Sequence, residues 1–333
     1  MSGGGVSYHL RPNKHVERQL FIELLDLVVA GKNPNNYVYI SMGGPQLEDH
    51  KLVHHKMRFQ HLVSIEENGA VYGRQLFNLR PSFLKCKNET TADFVRDFDK
   101  VQEQYNDKEM IIWLDYASPK RRPQLLEYQK LLSKLQIGDV LKITLNANID
   151  TLGVKQDDET EEQIQQRRVD SLLRKMADYL PTTISPESMT NRGFIPILCE
   201  AIKIASLKAL QSKSSVRAVP LAIFSYQDGF HQMLTATIRL HKKVEVDEIC
   251  SSLRNQGWDY LPSDWQDVTH INVPNLTAKE RLLIEELLFS DTDENIHGKL
   301  PFRLDPSEDI SLAQLKEYAR HYRRYPSYFQ VIL

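Results

Sequence analysis

Residues able to do chemistry gather where short apolar runs end. The run "YVYISM" gives way to Ser41, Gly43, Gly44 and Pro45, then to Glu48 and Asp49. "HLVSIE" closes on Glu66, with Glu67 and Asn68 after it, and "SFLKC" closes on Cys86 and Lys87. "MIIWLDY" ends at Asp115 and Tyr116, while "DVLKITLNAN" carries Asn146 and Asn148. A Gly-Gly-Pro turn lets backbone approach a ligand, although it can also simply end a strand. A carboxylate closing the second run can accept both hydroxyl protons of a ribose lying across the first two strands. The plain alternative for Glu66 is a solvent-exposed strand end. The turn lacks the third glycine of a phosphate-cradling or dinucleotide loop.

Other constellations carry less. His50 and His54 are four apart on one helical face, a zinc-compatible spacing, but no third ligand is spaced to join them. The expectation is therefore no metal. There is no Gly-x-Ser-x-Gly elbow and no Walker loop, which argues against a serine hydrolase or a nucleotide hydrolase. The C-terminal "KEYARHYRRYPSYFQVIL" interleaves Lys316, Arg320, Arg323 and Arg324 with Tyr318, Tyr322, Tyr325 and Tyr328. Such a helix can hold single-stranded nucleic acid through phosphates and stacked bases. The favoured reading is a terminal helix that buries Leu315, Tyr318, Ala319 and Tyr322 while its arginines reach outward.

The elements that would position these residues follow one rhythm. "VERQLFIELLDLVVAG" has helical apolar spacing and stops at Gly31. Five apolar runs then alternate with amphipathic helices, which predicts a parallel sheet covered on both faces, doubly wound. A charged helical insertion over about 150–192 follows, placed to wall the strand-end edge. Next come the apolar helix "FIPILCEAIKIASLKAL" and two strands joined at Asp228-Gly229, a hairpin signal. Three helices close the chain. The expected organisation is a flexible start over 1–15, an α/β unit over 16–242 and a small helical C-terminal domain over 243–333.

The chain has 333 residues, 41% hydrophobic and 26% charged, with net charge −2. That composition is ordinary for a soluble globular protein and argues against a whole-surface nucleic-acid binder. Three scattered cysteines suit a reducing compartment, and no apolar run is long enough to span a membrane. A cytoplasmic protein is expected.

Taken together, "ISMGGPQLEDHKLVH … SIEENGAVYGRQLFN … IIWLDY" and the closing hairpin resemble the class I S-adenosylmethionine-dependent methyltransferases over about residues 16–242. The block is also similar to bacterial proteins labelled O-methyltransferases. The resemblance implies a Rossmann-like, mostly parallel seven-stranded sheet ending in an antiparallel strand, with S-adenosylmethionine as cofactor. It implies donor contacts from Ser41, Gly43, Gly44, Pro45, Glu66, Asn68, Cys86 and Lys87. It also makes Asp115 the candidate for orienting or deprotonating the acceptor, with Tyr116 bordering it. The family's first motif places an acidic residue before Gly-x-Gly-x-Gly. Ser41-Met42-Gly43-Gly44-Pro45 departs from it, and Glu48 or Asp49 is the candidate substitute. The paired prolines of enzymes that methylate exocyclic base nitrogens are absent. The methyl acceptor stays unidentified. The alternative expectation is an inactive methyltransferase-like binding or scaffold subunit, with a protein partner or an oligomer.

Overall fold

The computed structural model describes residues 11–78 and 83–326. Helix α1 (Pro12–Val29) precedes strand β1 (Tyr37–Ser41). Then come α2 (Glu48–Met57), β2 (His61–Ile65), α3 (Gly69–Asn78) and β3 (Leu84–Lys87). Helices α4 (Thr91–Arg96) and α5 (Phe98–Gln104) lead into β4 (Glu109–Asp115), followed by α6 (Arg121–Lys134) and β5 (Val140–Asn146). The insertion contributes α7 (Glu161–Met176) before α8 (Asn191–Ala209). The hairpin is β6 (Val216–Asp228) with β7 (His231–Lys242). Helix α9 (Val246–Asn255), strand β8 (Thr269–Ile271), and helices α10 (Ala278–Leu287), α11 (Asp293–Lys299) and α12 (Glu308–His321) complete the chain.

The strands form one sheet in the order β3-β2-β1-β4-β5-β7-β6-β8. All neighbours are parallel except β7, which runs antiparallel to both β5 and β6. The expected doubly wound, mostly parallel sheet with an antiparallel hairpin is therefore present. It has eight strands rather than seven, because Thr269–Ile271 pairs with Phe224–Tyr226 on the outer edge. Gly229, at φ +63°, occupies the first position of the two-residue hairpin loop, where a side chain would be strained.

Alternate residues of the central strands feed two cores. Val38, Ile40, Ile112 and Leu114 face one cluster, with Phe94, Phe98, Leu125, Leu132, Leu198 and Ile202 from the helices. Tyr37, Tyr39, Ile111 and Trp113 face the other. That second cluster also takes in Leu20 and Leu24 of α1, Leu253 of α9, Ile284 of α10 and Leu315 of α12. The segment after residue 243 thus packs on the sheet through apolar side chains, with Trp258 Nε1 donating to Leu221 O at 2.8 Å.

Helix α1 starts at Pro12, inside the stretch expected to be a flexible start. Its first turn is capped from afar. Asp228, at the end of β6, accepts from Asn13 N at 3.2 Å and Lys14 N at 2.9 Å. A cap supplied from so distant a position leaves no local trace, and residues 1–10 lie outside the described residues. The α7 segment is fastened by Arg168, which donates to Gly153 O and Met189 O and pairs with Asp150.

Candidate functional site

The carboxyl edge of the parallel strands carries the turn from Ser41 to Leu47. Ser41 is buried, 3.4 Å from His50 Nε2, which also lies 2.9 Å from Val63 O. Gly43 N donates to Ser64 Oγ at 3.3 Å, and Ser64 Oγ donates to Gln75 Oε1. Gln75 and Asn78 of α3 return donors to the carbonyls of Gly44 and Pro45, each at 2.9 Å. The two glycines differ in what they are for. A Cβ on Gly43 would lie 2.7 Å from Ser64 Oγ and 2.8 Å from the His50 ring, so this glycine exists to pack. Gly44 has φ +55° and open space where a side chain would stand, so its backbone can be approached by a ligand.

Glu66 closes β2 half-buried, and burial, outweighing a bond from Asn68 N, raises its carboxyl above the usual range. Its Oε1 accepts from Asn68 N at 2.8 Å, while among the described residues Oε2 accepts nothing. Asn68 Oδ1 caps α3 through Ala70 N and Val71 N, so this side chain is committed to the helix. On β3, burial pushes the Cys86 thiol up to about 11, which keeps it protonated at neutral pH. Lys87 lies 3.8 Å from Glu89. Both line a cavity of about 210 Å³ with Phe94, Asp97 and Lys100.

Between α1 and the strand ends lies a chain of buried charge. Lys14 Nζ is 3.0 Å from Asp115 Oδ2, and Arg18 Nε is 2.6 Å from Asp49 Oδ1. Lys142 Nζ is 2.7 Å from Glu17 Oε1, both side chains fully buried, and Thr235 Oγ1 donates to the same oxygen at 2.9 Å. Lys142 also sits 3.7 Å over the Trp113 ring and 4.0 Å from that of Phe21. Desolvation works against the Asp115 carboxylate, yet Lys14, Arg18 and Lys142 together hold it below the usual range. For Asp49 burial wins over Arg18, and its carboxyl is raised. Desolvation likewise lowers the Lys142 ammonium despite Glu17.

Of the acids expected at the edge, Asp49 faces Arg18 and Glu48 stands 4.0 Å from that guanidinium. Tyr116 is buried, with its hydroxyl donating to Glu127 Oε2 at 2.5 Å; burial and Glu127 raise it well above the tyrosine range. The structure therefore groups Ser41, Gly43 and Asp49 with the packing beneath the turn. Gly44 and Glu66 are partly exposed, and Asp115 adjoins the turn through its N–H on Met42 Sδ at 3.2 Å. Lys14, Glu17, Arg18 and Lys142 did not emerge from sequence reasoning. The one signal was a lysine within the mostly apolar fifth run.

The remaining groups resolve into structural ties. His54 Nδ1 lies 2.9 Å from Phe59 O, and among the described residues no cluster of three or more His, Cys, Asp or Glu could hold a metal. Asn146 donates to Ala117 O and Asn148 to Phe230 O, tying the end of the fifth strand to the loop after β4 and to the hairpin loop. At the terminal helix and the turn after it, Arg324 donates two hydrogen bonds to the Glu23 carboxylate, Arg320 lies 4.8 Å over Tyr260, and Lys316 pairs with Glu294. Tyr318 is buried, while Tyr328 lies outside the described residues. No helix among the described residues is long and apolar enough to cross a membrane.

Comparison with known proteins bears on this edge. Residues 6–333 match the family described as "Putative O-methyltransferase". No curated protein matches the chain. Among solved structures, a SAM-dependent methyltransferase from Anabaena variabilis is 11% identical, with 69% of this chain and 87% of that chain covered, at TM-score 0.38. Trm1 from Pyrococcus horikoshii, solved with S-adenosyl-L-methionine, is 11% identical over 91% and 75%, at TM-score 0.44. The plantazolicin methyltransferase BpumL, solved with SAH, is 8% identical over 68% and 84%, at TM-score 0.39. With the family match running over nearly the whole length, and a mostly parallel sheet that carries the expected antiparallel hairpin, the chain belongs to this O-methyltransferase family of class I, Rossmann-like proteins.

Proposed function

We propose that the protein transfers a methyl group from S-adenosylmethionine to an acceptor oxygen, with the donor seated at the carboxyl edge of the sheet. One observation carries this reading: Gly44 presents open backbone on the same edge as Glu66, whose Oε2 accepts nothing among the described residues. These groups fit the donor. A carboxylate can take the two ribose hydroxyls, and a glycine backbone can lie against the chain that links ribose to sulfur. The donor carries no pyrophosphate, so a third glycine is not required.

When bound, the donor supplies a methyl group already activated on a sulfonium. The chain's own task is alignment and the exclusion of water. Glu66 fixes the nucleoside. Asp115, held ionised and low by its cationic neighbours, is a weak base, so its part is to hold a bound group by charge and not to remove the acceptor's proton. Tyr116, fixed on Glu127, walls the site. The insertion around α7 follows β5 and stands where an acceptor wall is needed.

A second reading has its own observation. Asp49 and Asp115 are both engaged by cations of α1, as a repurposed binding subunit would tolerate. Calorimetric titration with S-adenosylhomocysteine separates the two. Catalysis requires saturable binding, weakened at least about tenfold by Glu66→Ala, the loss of two charge-assisted bonds. No heat at high micromolar ligand would leave only the binding-subunit reading.

A further inference from the structure

The first strand supplies no acid for the amino-acid end of a methyl donor. Its exit is Ser41-Met42-Gly43, and on the following helix Asp49 lies buried against Arg18 at 2.6 Å while Glu48 stands 4.0 Å from the same guanidinium. A zwitterionic end needs one cation and one anion held close together. Such a pair stands on the same edge. Asp115 ends β4, next to β1 in the sheet, and its N–H donates to Met42 Sδ at 3.2 Å, so it abuts the turn. Lys14 meets Asp115 from α1 at 3.0 Å.

The Lys14 and Asp115 side chains are 11% and 12% exposed, whereas the neighbouring Glu17 and Lys142 are both 0% and sealed in the core. The lysine backbone is also fixed in advance. Its N–H donates to Asp228, and Asn13 beside it accepts from Val273 N at 2.7 Å. A fixed backbone limits the freedom lost when a ligand arrives.

We propose that Lys14 and Asp115 together receive the amino-acid end of the donor, Lys14 pairing with its α-carboxylate and Asp115 with its α-ammonium. The assignment rests on the proposed donor. It deepens that reading by moving the missing acid of the first motif to the fourth strand and adding a cation from the N-terminal helix. An ammonium has three donors and a carboxylate about four acceptor sites, so the four charges can alternate with no group of like sign adjacent. Lys14 is thus a binding residue, and its conservative replacement by Arg keeps the charge.

The test uses the full chain and three probes in equilibrium titrations. They are S-adenosylhomocysteine, its decarboxylated analogue 5′-deoxy-5′-(3-aminopropylthio)adenosine, and 5′-methylthioadenosine, which lacks both charges. Wild type should bind S-adenosylhomocysteine about 10- to 100-fold more tightly than the decarboxylated analogue. Lys14→Met should shrink that preference to within about threefold while leaving methylthioadenosine binding unchanged, and Lys14→Arg should restore most of it. Equal wild-type affinity for the first two probes overturns the assignment without any variant. An equal loss of all three probes in Lys14→Met also overturns it, since that is what a purely structural lysine would give. If wild type binds none of the three, the proposed donor falls and this assignment with it. Binding of methylthioadenosine without preference for the charged probes sinks the assignment alone.

Discussion

Replacing Glu17 by Gln removes the carboxylate that faces Lys142 while leaving shape and volume nearly unchanged. The lysine then has two options. It can stay charged inside the sheet, and breaking a buried pair from one side costs about 3–5 kcal/mol. It can instead lose its proton, at about 1.36 kcal/mol for each unit between an unfolded value near 10.4 and the working pH, or roughly 4.6 kcal/mol at pH 7. The Trp113 and Phe21 rings at 3.7 and 4.0 Å lower the cost of the charged option alone, by about 0.5–2 kcal/mol. A net loss of about 3–4 kcal/mol at pH 7 is expected. The pH dependence identifies the cause. Burial already lowers Lys142 with Glu17 present, and without it the folded value falls further. The unfolded chain then binds more protons than the folded one, so stability rises with pH toward the unfolded value. Relative to wild type, the variant should recover up to about 2.7 kcal/mol between pH 7 and pH 9. Urea unfolding at the two pH values, followed by circular dichroism, measures both quantities. A cost below about 1 kcal/mol at both pH values would refute the buried pair as the anchor of α1, and recovery at pH 9 shows that the lysine gives up its proton.

Other perturbations follow the same logic. Burial drives His50 down to about 4, so the folded protein keeps it neutral while the unfolded chain protonates below about 6.5. Stability should fall as pH drops through that window, by about 2 kcal/mol from this group between pH 6.5 and 5, and His50→Gln should lack that component in paired unfolding curves. Gly43→Ala places a methyl 2.7 Å from Ser64 Oγ, and denaturation should show a loss of about 1–3 kcal/mol. Gly44→Ala meets no neighbour, so it should cost only about 1 kcal/mol from its positive φ, yet weaken S-adenosylhomocysteine at least about tenfold. If the two glycine variants behave alike, the division between packing and access is mistaken.

The sheet was legible because its strands are buried on both faces and read as apolar runs, and because Asp228-Gly229 marks the hairpin. Strand β8 was not legible. Three residues, only Ile271 of them buried, give no period, and their pairing partner is set by the hairpin edge. Glu66 and the glycines stood out because strand ends are where a doubly wound sheet presents ligands. The charges of α1 carry no local sign of burial. Lys14, Glu17 and Arg18 are buried only because Asp115, Lys142 and Asp49 arrive from three other elements. Local spacing cannot reveal that. Lys142 was the accessible clue, since a lysine in a strand buried on both faces requires an anion opposite it.

The account stands or falls on where the methyl donor binds, and a structure of the protein with S-adenosylhomocysteine tests that directly. The ribose hydroxyls should lie on the Glu66 carboxylate, beside the backbone of Gly44. A nucleoside bound elsewhere, or a carboxyl edge left empty at saturating ligand, would contradict it.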